Sequence, residues 1–247
     1  MKYLLLCEGE TDAILLSYLM INTYGWSYLE KKNYKTNDII ELNLVNHNQS
    51  SNWYIKGDNQ LLICAVGGCD NYNNFLDEYI LPIQKTNIEA YFNKMIIVVD
   101  RDDKDVSEIE KSINDVIKIK TSFKNNKWIT NTYVNDYNVS RQFDEFLLIV
   151  PSNSSGAIEN VVLDAISNIS LEYNLIVEKS KNFIDELSQD DIETLKRRRF
   201  ILKAKMGVVF AIISPMKVFS DLDSLLRSID FSNNSVAIST FNVLSQL

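Results

Sequence analysis

Glu8 and Asp12 stand four residues apart with Gly9 directly behind the glutamate, and Asp100, Asp102 and Asp103 follow some ninety residues later. Each acidic group closes an apolar run. Tyr3-Leu4-Leu5-Leu6-Cys7 leads into Glu8, and Met95-Ile96-Ile97-Val98-Val99 leads into Asp100. Carboxylates gathered in one place repel each other, and they stay ionised together only when a divalent cation neutralises them. Hard oxygen donors favour Mg²⁺ or Mn²⁺ over Zn²⁺. The chemistry these residues suggest is that of a carboxylate metal site. Taken singly, Asp12 would serve equally as a first-turn helix acid and Asp100 to Asp103 as a polar turn; their conjunction is what carries the reading.

Other chemistries are excluded by what the chain holds. A single histidine, His47, lies in the polar stretch Asn46 to Asn52, so zinc sites of several histidines are impossible and Ser-His-Asp or Cys-His catalysis would rest on that residue alone. Three cysteines, Cys7, Cys64 and Cys69, show no zinc spacing, and Cys7 and Cys64 sit inside apolar runs where free thiols are commonly buried. A reducing cytoplasm is the expected setting. No stretch approaches the roughly 18 apolar residues of a membrane span, and the N-terminal run flows into acids rather than a small-residue cleavage site, so neither a membrane nor a signal peptide is expected. The net charge of -8 rules out bulk attraction to polyanions. A local basic patch is still compatible with nucleic acid, because carboxylates bound to a cation no longer repel phosphate as free charges would.

The elements that must position the acids follow from periodicity. Residues 2–7, Leu61 to Val66, Met95 to Val99, Trp128 to Val134 and Glu145 to Val150 read as strands, and Ile39 to Val45 as a further one. Continuous apolar runs of this length fit strands buried on both faces. Helices are expected at Glu10 to Asn22, at Asn71 to Asn93 with an interruption near Leu81-Pro82, at Ser107 to Ile119 and at Ala157 to Ile176. Residues 46–60 read as a polar loop with a Gly57-Asp58 turn, and Gly67-Gly68 closes the strand before it. Alternation of strand and helix predicts an α/β domain over residues 1–176 with a largely parallel sheet. Residues 177–247 read as a helical C-terminal extension packed on that core, with a charged helix over Asn182 to Ile213 and a short one over Asp221 to Ile229. In open α/β sheets ligands sit outside the carboxyl ends of the strands, where both acid pairs are predicted.

The pairing of Glu8-Gly9-x-x-Asp12 with Asp100-x-Asp102 resembles the Toprim domain of topoisomerases, bacterial primases, recombination proteins and small standalone nucleases. The resemblance implies a Rossmann-like sheet, Glu8 as general acid/base or metal ligand, Asp100 and Asp102 as Mg²⁺ ligands, and Asp12 as the acid of the nuclease branch. The Gly67-Gly68 loop looks like the family's central segment. Gly156-Ala157-Ile158-Glu159 resembles the extra Gly-x-x-Glu of the overcoming-lysogenization-defect (OLD) nucleases, which implies Glu159 as a further ligand of a two-metal site. Those nucleases also use a late lysine; Lys203 and Lys205 both fit, and Lys205 is slightly preferred. The chain is similar to standalone Toprim proteins, including those linked to phage defence.

These readings imply a Mg²⁺- or Mn²⁺-dependent endonuclease cutting DNA or RNA. Lys196, Arg197, Arg198 and Arg199 form a basic run that could hold the phosphodiester backbone, although such runs are usually solvated. Two rival classes stay open: a nucleotidyl transferase using the same acids, and a Toprim-fold module that binds nucleic acid or regulates a partner without turnover. A second copy of the chain or a regulatory protein are the partners left open.

Overall fold

The computed structural model describes residues 1–37, 39–86, 91–117, 122–217 and 222–247. The chain divides into two compact units, residues 1–155 together with 243–247, and residues 156–242.

The first unit is built on a seven-stranded sheet in the order β2-β3-β4-β1-β5-β7-β6. Its strands are β1 (Lys2–Cys7), β2 (Ser27–Tyr28), β3 (Ser50–Lys56), β4 (Asn59–Ala65), β5 (Lys94–Asp100), β6 (Trp128–Val134) and β7 (Ser140–Val150). The four inner strands β4, β1, β5 and β7 run parallel, while β2, β3 and β6 pair antiparallel with their neighbours. The sheet is therefore mixed rather than largely parallel. Its parallel centre carries the continuous apolar runs: Leu4, Leu5, Leu6, Met95, Ile96, Ile97 and Leu147 are each fully buried. A strand covered on both faces has no side left for polar residues.

Helix α1 (Glu10–Asn22) lies against β1 and β4. Across the sheet, Leu4, Leu6, Met95, Ile97 and Leu147 share a core with Phe75, Ile80 and Ile83 and with Ile109 and Ile113. Those residues come from α2 (Tyr72–Phe75), a five-residue π-helical stretch (Leu76–Ile80), α3 (Leu81–Thr86) and α4 (Val106–Val116). The interruption expected near Leu81-Pro82 is this π turn. Proline at 82 has no N–H to give and crowds the carbonyl one turn back, so the helix widens just before it. Helix α4 opens on Asp105, with Glu108 reaching back to the Asp105 amide at 2.9 Å. Lys118 and Ile119 at its expected end, and residues 87–90 of the expected longer helix, lie outside the described residues.

Two expectations for the first unit are corrected. Residues 39–45 form no strand; Leu42 is buried and the Ile40 carbonyl accepts a hydrogen bond from Trp53 Nε1 at 3.2 Å. Residues 50–56, read as loop, form β3 instead. Their Ser and Asn residues obscured Trp53 and Tyr54, which are buried, and the Gly57-Asp58 turn closes a hairpin with Lys56 opposite Asn59. A strand outside the parallel centre needs only one apolar face, so its pattern is mixed.

The second unit is helical: α5 (Ile158–Ser167), α6 (Leu171–Leu187), α7 (Arg198–Ile213), α8 (Leu222–Leu226) and α9 (Ser235–Thr240). The two long helices expected over 157–176 and 182–213 are three shorter ones. Ser170 caps α6 by accepting from the Tyr173 amide at 3.1 Å, which restarts the helix at Leu171. Residues 188–197 then break the second expected helix before α7. Asp221, the expected start of the last helix, lies outside the described residues.

Candidate active site

The carboxyl ends of β1, β4, β5 and β7 lie on one edge of the parallel centre, because Cys7 pairs with Ala65 and Asp100 with Val150. Glu8 follows β1 at once, Gly67-Gly68 follows β4, and Asp100 is the last residue of β5. The Glu8 carbonyl accepts the amides of Gly67 at 3.0 Å and Gly68 at 2.9 Å. Gly67 holds φ at +84°, a conformation natural only to glycine, and a Cβ there would approach the Asn48 carbonyl to 3.3 Å. The glycine pair therefore lets the β4 loop close on the β1 turn.

The side chains are tied in turn. Glu8 Oε1 accepts the Asp100 amide at 3.1 Å, which links the ends of adjacent strands. Asp12 is buried and its Oδ2 accepts the Gly9 amide at 2.8 Å, closing the start of α1. Gly9 brings no side chain of its own, so the acid from the first turn does the capping.

Glu8, Asp12 and Asp100 act on the same neighbours. Burial pushes the Cys7 thiol well above its usual value, and the charges of Asp12, Asp100 and Glu8 push it further. The Tyr72 phenol, which donates to the Val98 carbonyl at 2.6 Å, is raised by burial and then by Glu8, Asp12 and Asp100. Cys69, at the start of the next loop, is raised by burial and by Glu8, with Lys104 opposing. The three carboxylates thus bring negative charge to the same end of the parallel strands.

Asp102 departs from the expectation of a shared side with Asp100. It lies beyond the strand, exposed, at φ +51°, so the extended backbone that would align the two does not continue to it. Arg101 braces this turn by donating to the carbonyls of Lys104 at 3.3 Å and Ser152 at 3.2 Å. Among the described residues, no three His, Cys, Asp or Glu side chains stand close enough to share one ion. Hard carboxylate oxygens of this kind suit Mg²⁺ or Mn²⁺ by type, while the side chains of Glu8 and Asp12 are each engaged by a backbone amide.

In the second unit, Gly156 holds φ at +145° and Asn160 Oδ1 fills the space a Cβ would need, while accepting the Ala157 amide at 3.0 Å. Helix α5 opens behind it, and Glu159 in its first turn is 4% exposed. Lys203 Nζ lies 3.8 Å from Glu159 Oε1, whereas Lys205 Nζ pairs with Asp185 at 2.6 Å. The lysine that meets Glu159 is therefore Lys203 and not the slightly preferred Lys205. In the basic run, Lys196 is engaged with Glu193 at 2.8 Å and Asp191 at 3.1 Å, and Arg197 lies over the Phe200 ring at 5.7 Å. Arg198 and Arg199 open α7 with no acid in its first turn, an arrangement the helix dipole disfavours.

Sequence reasoning passed over Glu145, which it counted only as a strand residue. Glu145 is 2% exposed on β7, and its Oε2 accepts from Asn131 Nδ2 of β6. Burial raises its carboxyl to about 7, the Asn131 bond working the other way. Glu145 stands beside Asp144 at the head of the apolar run Phe146 to Val150, so the sequence carried no signal of its burial. Below the unfolded value of about 4.5 both states hold the proton. As the pH climbs to about 7 the unfolded chain releases it and the folded chain keeps it, so stability falls by about 3 kcal/mol and then levels. Subtracting the urea stability of Glu145→Gln from that of the wild type across this range is expected to show that slope; a flat difference would refute it.

A mixed α/β sheet with Glu8 and Asp100 at the carboxyl ends of adjacent parallel strands defines the general class. Residues 2–219 match the profile of the family described as a protein of unknown function, DUF3226, and the chain belongs to that family. No functionally curated protein matches the chain. Among solved structures it is similar to a hypothetical protein from Pyrococcus horikoshii OT3, at 13% identity and a TM-score of 0.45, over 99% of this chain and 100% of that one.

Proposed function

We propose that the protein is a divalent-metal-dependent nuclease of Toprim-like fold that cleaves phosphodiester bonds of DNA or RNA, with phage defence as its setting. The observation that carries the reading is the placement of Glu8 and Asp100 at the carboxyl ends of the adjacent parallel strands β1 and β5, with Asp12 in the first turn of the helix that follows. Mg²⁺ or Mn²⁺ bound to these carboxylates would supply Lewis-acid stabilisation of phosphoryl oxygens and acidify water.

The chain's own residues do the rest. Glu8 is anchored by the Asp100 amide and so points along the strand ends without a search for its rotamer. Asp12 holds the entry of α1 rigid beneath it. Asp102, exposed on its turn, is available as a proton acceptor or additional ligand at the rim. Glu159 and Lys203 are a second acid and cation held together on α5 and α7, and Lys203 is the lysine we assign to phosphate charge. Arg198 and Arg199 at the start of α7 are assigned to the nucleic-acid backbone. Three free cysteines fit a cytoplasmic setting. No helix among the described residues is long and apolar enough to cross a membrane.

A second reading has its own support. Glu8 and Asp12 each already accept a backbone amide, so both also serve as loop ties, the role they would keep in a non-catalytic binding module. A cleavage panel separates the two. Wild type and Asp100→Ala are incubated with supercoiled DNA, single-stranded DNA and transfer RNA, each with Mg²⁺, Mn²⁺ or a chelator. Cutting that needs metal and disappears in Asp100→Ala is expected. Nucleic-acid binding without cutting under any metal would move the assignment to the binding module.

A further inference from the structure

A cavity of about 450 Å³ opens on the first unit between the π-helical stretch with α3 and the β5-β7-β6 side of the sheet. It lies within the roughly 300 to 1,000 Å³ range of small-molecule sites. Leu76, Ile80, Leu81, Met95, Ile117 and Phe143 supply apolar walls. Glu145 lines the same cavity from β7 and Asn131 and Tyr133 from β6. Asn131 donates to Oε2 of Glu145, and no charged group pairs with this buried carboxyl among the ion pairs of the described residues. The Tyr133 hydroxyl is buried and has no partner among the described residues. Such a carboxyl costs stability where it stands, and an apolar residue of similar size would not. A π turn is itself unfavourable, and such turns recur at binding sites.

We infer that this cavity is a binding site for a small organic cation, an apolar body carrying a protonated amine whose ammonium pairs with Glu145. The apolar walls take the body and the buried carboxylate selects the head. The other charged or titratable groups lining the cavity are Asp77 from the π turn, Lys85 from α3 and Tyr133 from β6. Asp77 is exposed and accepts from Asn73 at 2.9 Å, and Lys85 is also exposed, so both charges stand in solvent, where they are screened. Glu145 is the group whose ionisation changes near neutrality, since its carboxyl sits at about 7. Amine binding needs that carboxyl ionised, so affinity should rise about tenfold between about pH 6 and about pH 8.

The test uses 4-phenylbutylamine and its neutral counterpart 4-phenylbutanol as probes in isothermal titration with the full chain. The expected result at about pH 8 is amine binding about tenfold or more tighter than the alcohol. That preference should shrink toward pH 6 and vanish in Glu145→Gln while the alcohol still binds. Leu81→Trp, placing a large ring at the cavity wall from a partly exposed position, should weaken both probes. Equal affinity of amine and alcohol in the wild type overturns the proposal, as does failure of both to bind. So does a preference that survives Glu145→Gln or amine binding untouched by Leu81→Trp. The wild-type comparison decides even where a variant does not fold. None of these readouts depends on nuclease activity.

Discussion

Glu8→Gln is expected to lower metal-dependent cleavage about a thousandfold, because the charge a cation needs is worth several kcal/mol in the transition state and each ~1.36 kcal/mol is tenfold. The substitution isolates charge from structure. Gln keeps an oxygen able to accept the Asp100 amide that Glu8 Oε1 holds at 3.1 Å, so the strand ends should stay linked. It also removes one of the carboxylate charges that gather with Asp12 and Asp100 near Cys7 and Tyr72, which relieves repulsion among the acids. The melting temperature should therefore hold steady or rise while initial cleavage rates collapse. A fall of less than about tenfold in rate would mean that Glu8 serves only as a loop tie and that other groups carry the cleavage.

Phe75→Ala is expected to cost about 3 to 5 kcal/mol of folding stability, measured by urea unfolding of the full chain. Phe75 is fully buried at the end of α2. Its ring packs at 5.1 Å against Tyr79 in the π turn and belongs to the core that reaches β1, β5 and β7. Truncation leaves a hole that the strands cannot fill, since the inner sheet is covered on both faces. The same change lies next to the cavity wall at Leu76 and Ile80, so it should also loosen the π turn. A loss below about 1 kcal/mol would show that this helix repacks freely and that the wide turn is not held by its neighbours.

The parts of the fold that could be read beforehand are those with one dominant cause. The runs at Leu4 to Leu6 and Met95 to Val99 admit only a strand buried on both sides, and β1 and β5 lie where those runs placed them. The start of α1 at Glu10 followed from Gly9 and the apolar spacing behind it. The strand β3 was missed because Trp53 and Tyr54 are diluted by serine and asparagine. The acids divide along the same line. Glu8 and Asp100 abut regular strands, and their placement at adjacent strand ends follows from that regularity. Asp102 sits one turn beyond, where a left-handed backbone decides its direction and composition does not. Lys203 and Lys205 are two residues apart on a helix, so they point to different faces, and only packing shows which one meets Glu159. Glu145 looked like any residue on a strand, because its burial depends on helices distant in sequence.

The division of the chain has a consequence for how it is made. Val243, Leu244 and Leu247 are buried, and this short segment belongs with the sheet unit, where Gln246 meets Trp128 and Lys94. During vectorial synthesis the sheet must wait, with that patch uncovered, until all of 156–242 has emerged. Helices of the second unit form from local contacts and need no such delay. A ribosome-bound chain stopped just after residue 242 should thus carry ordered helices together with an incomplete sheet unit, and chaperone attention should concentrate on the sheet unit although it emerges before the helices.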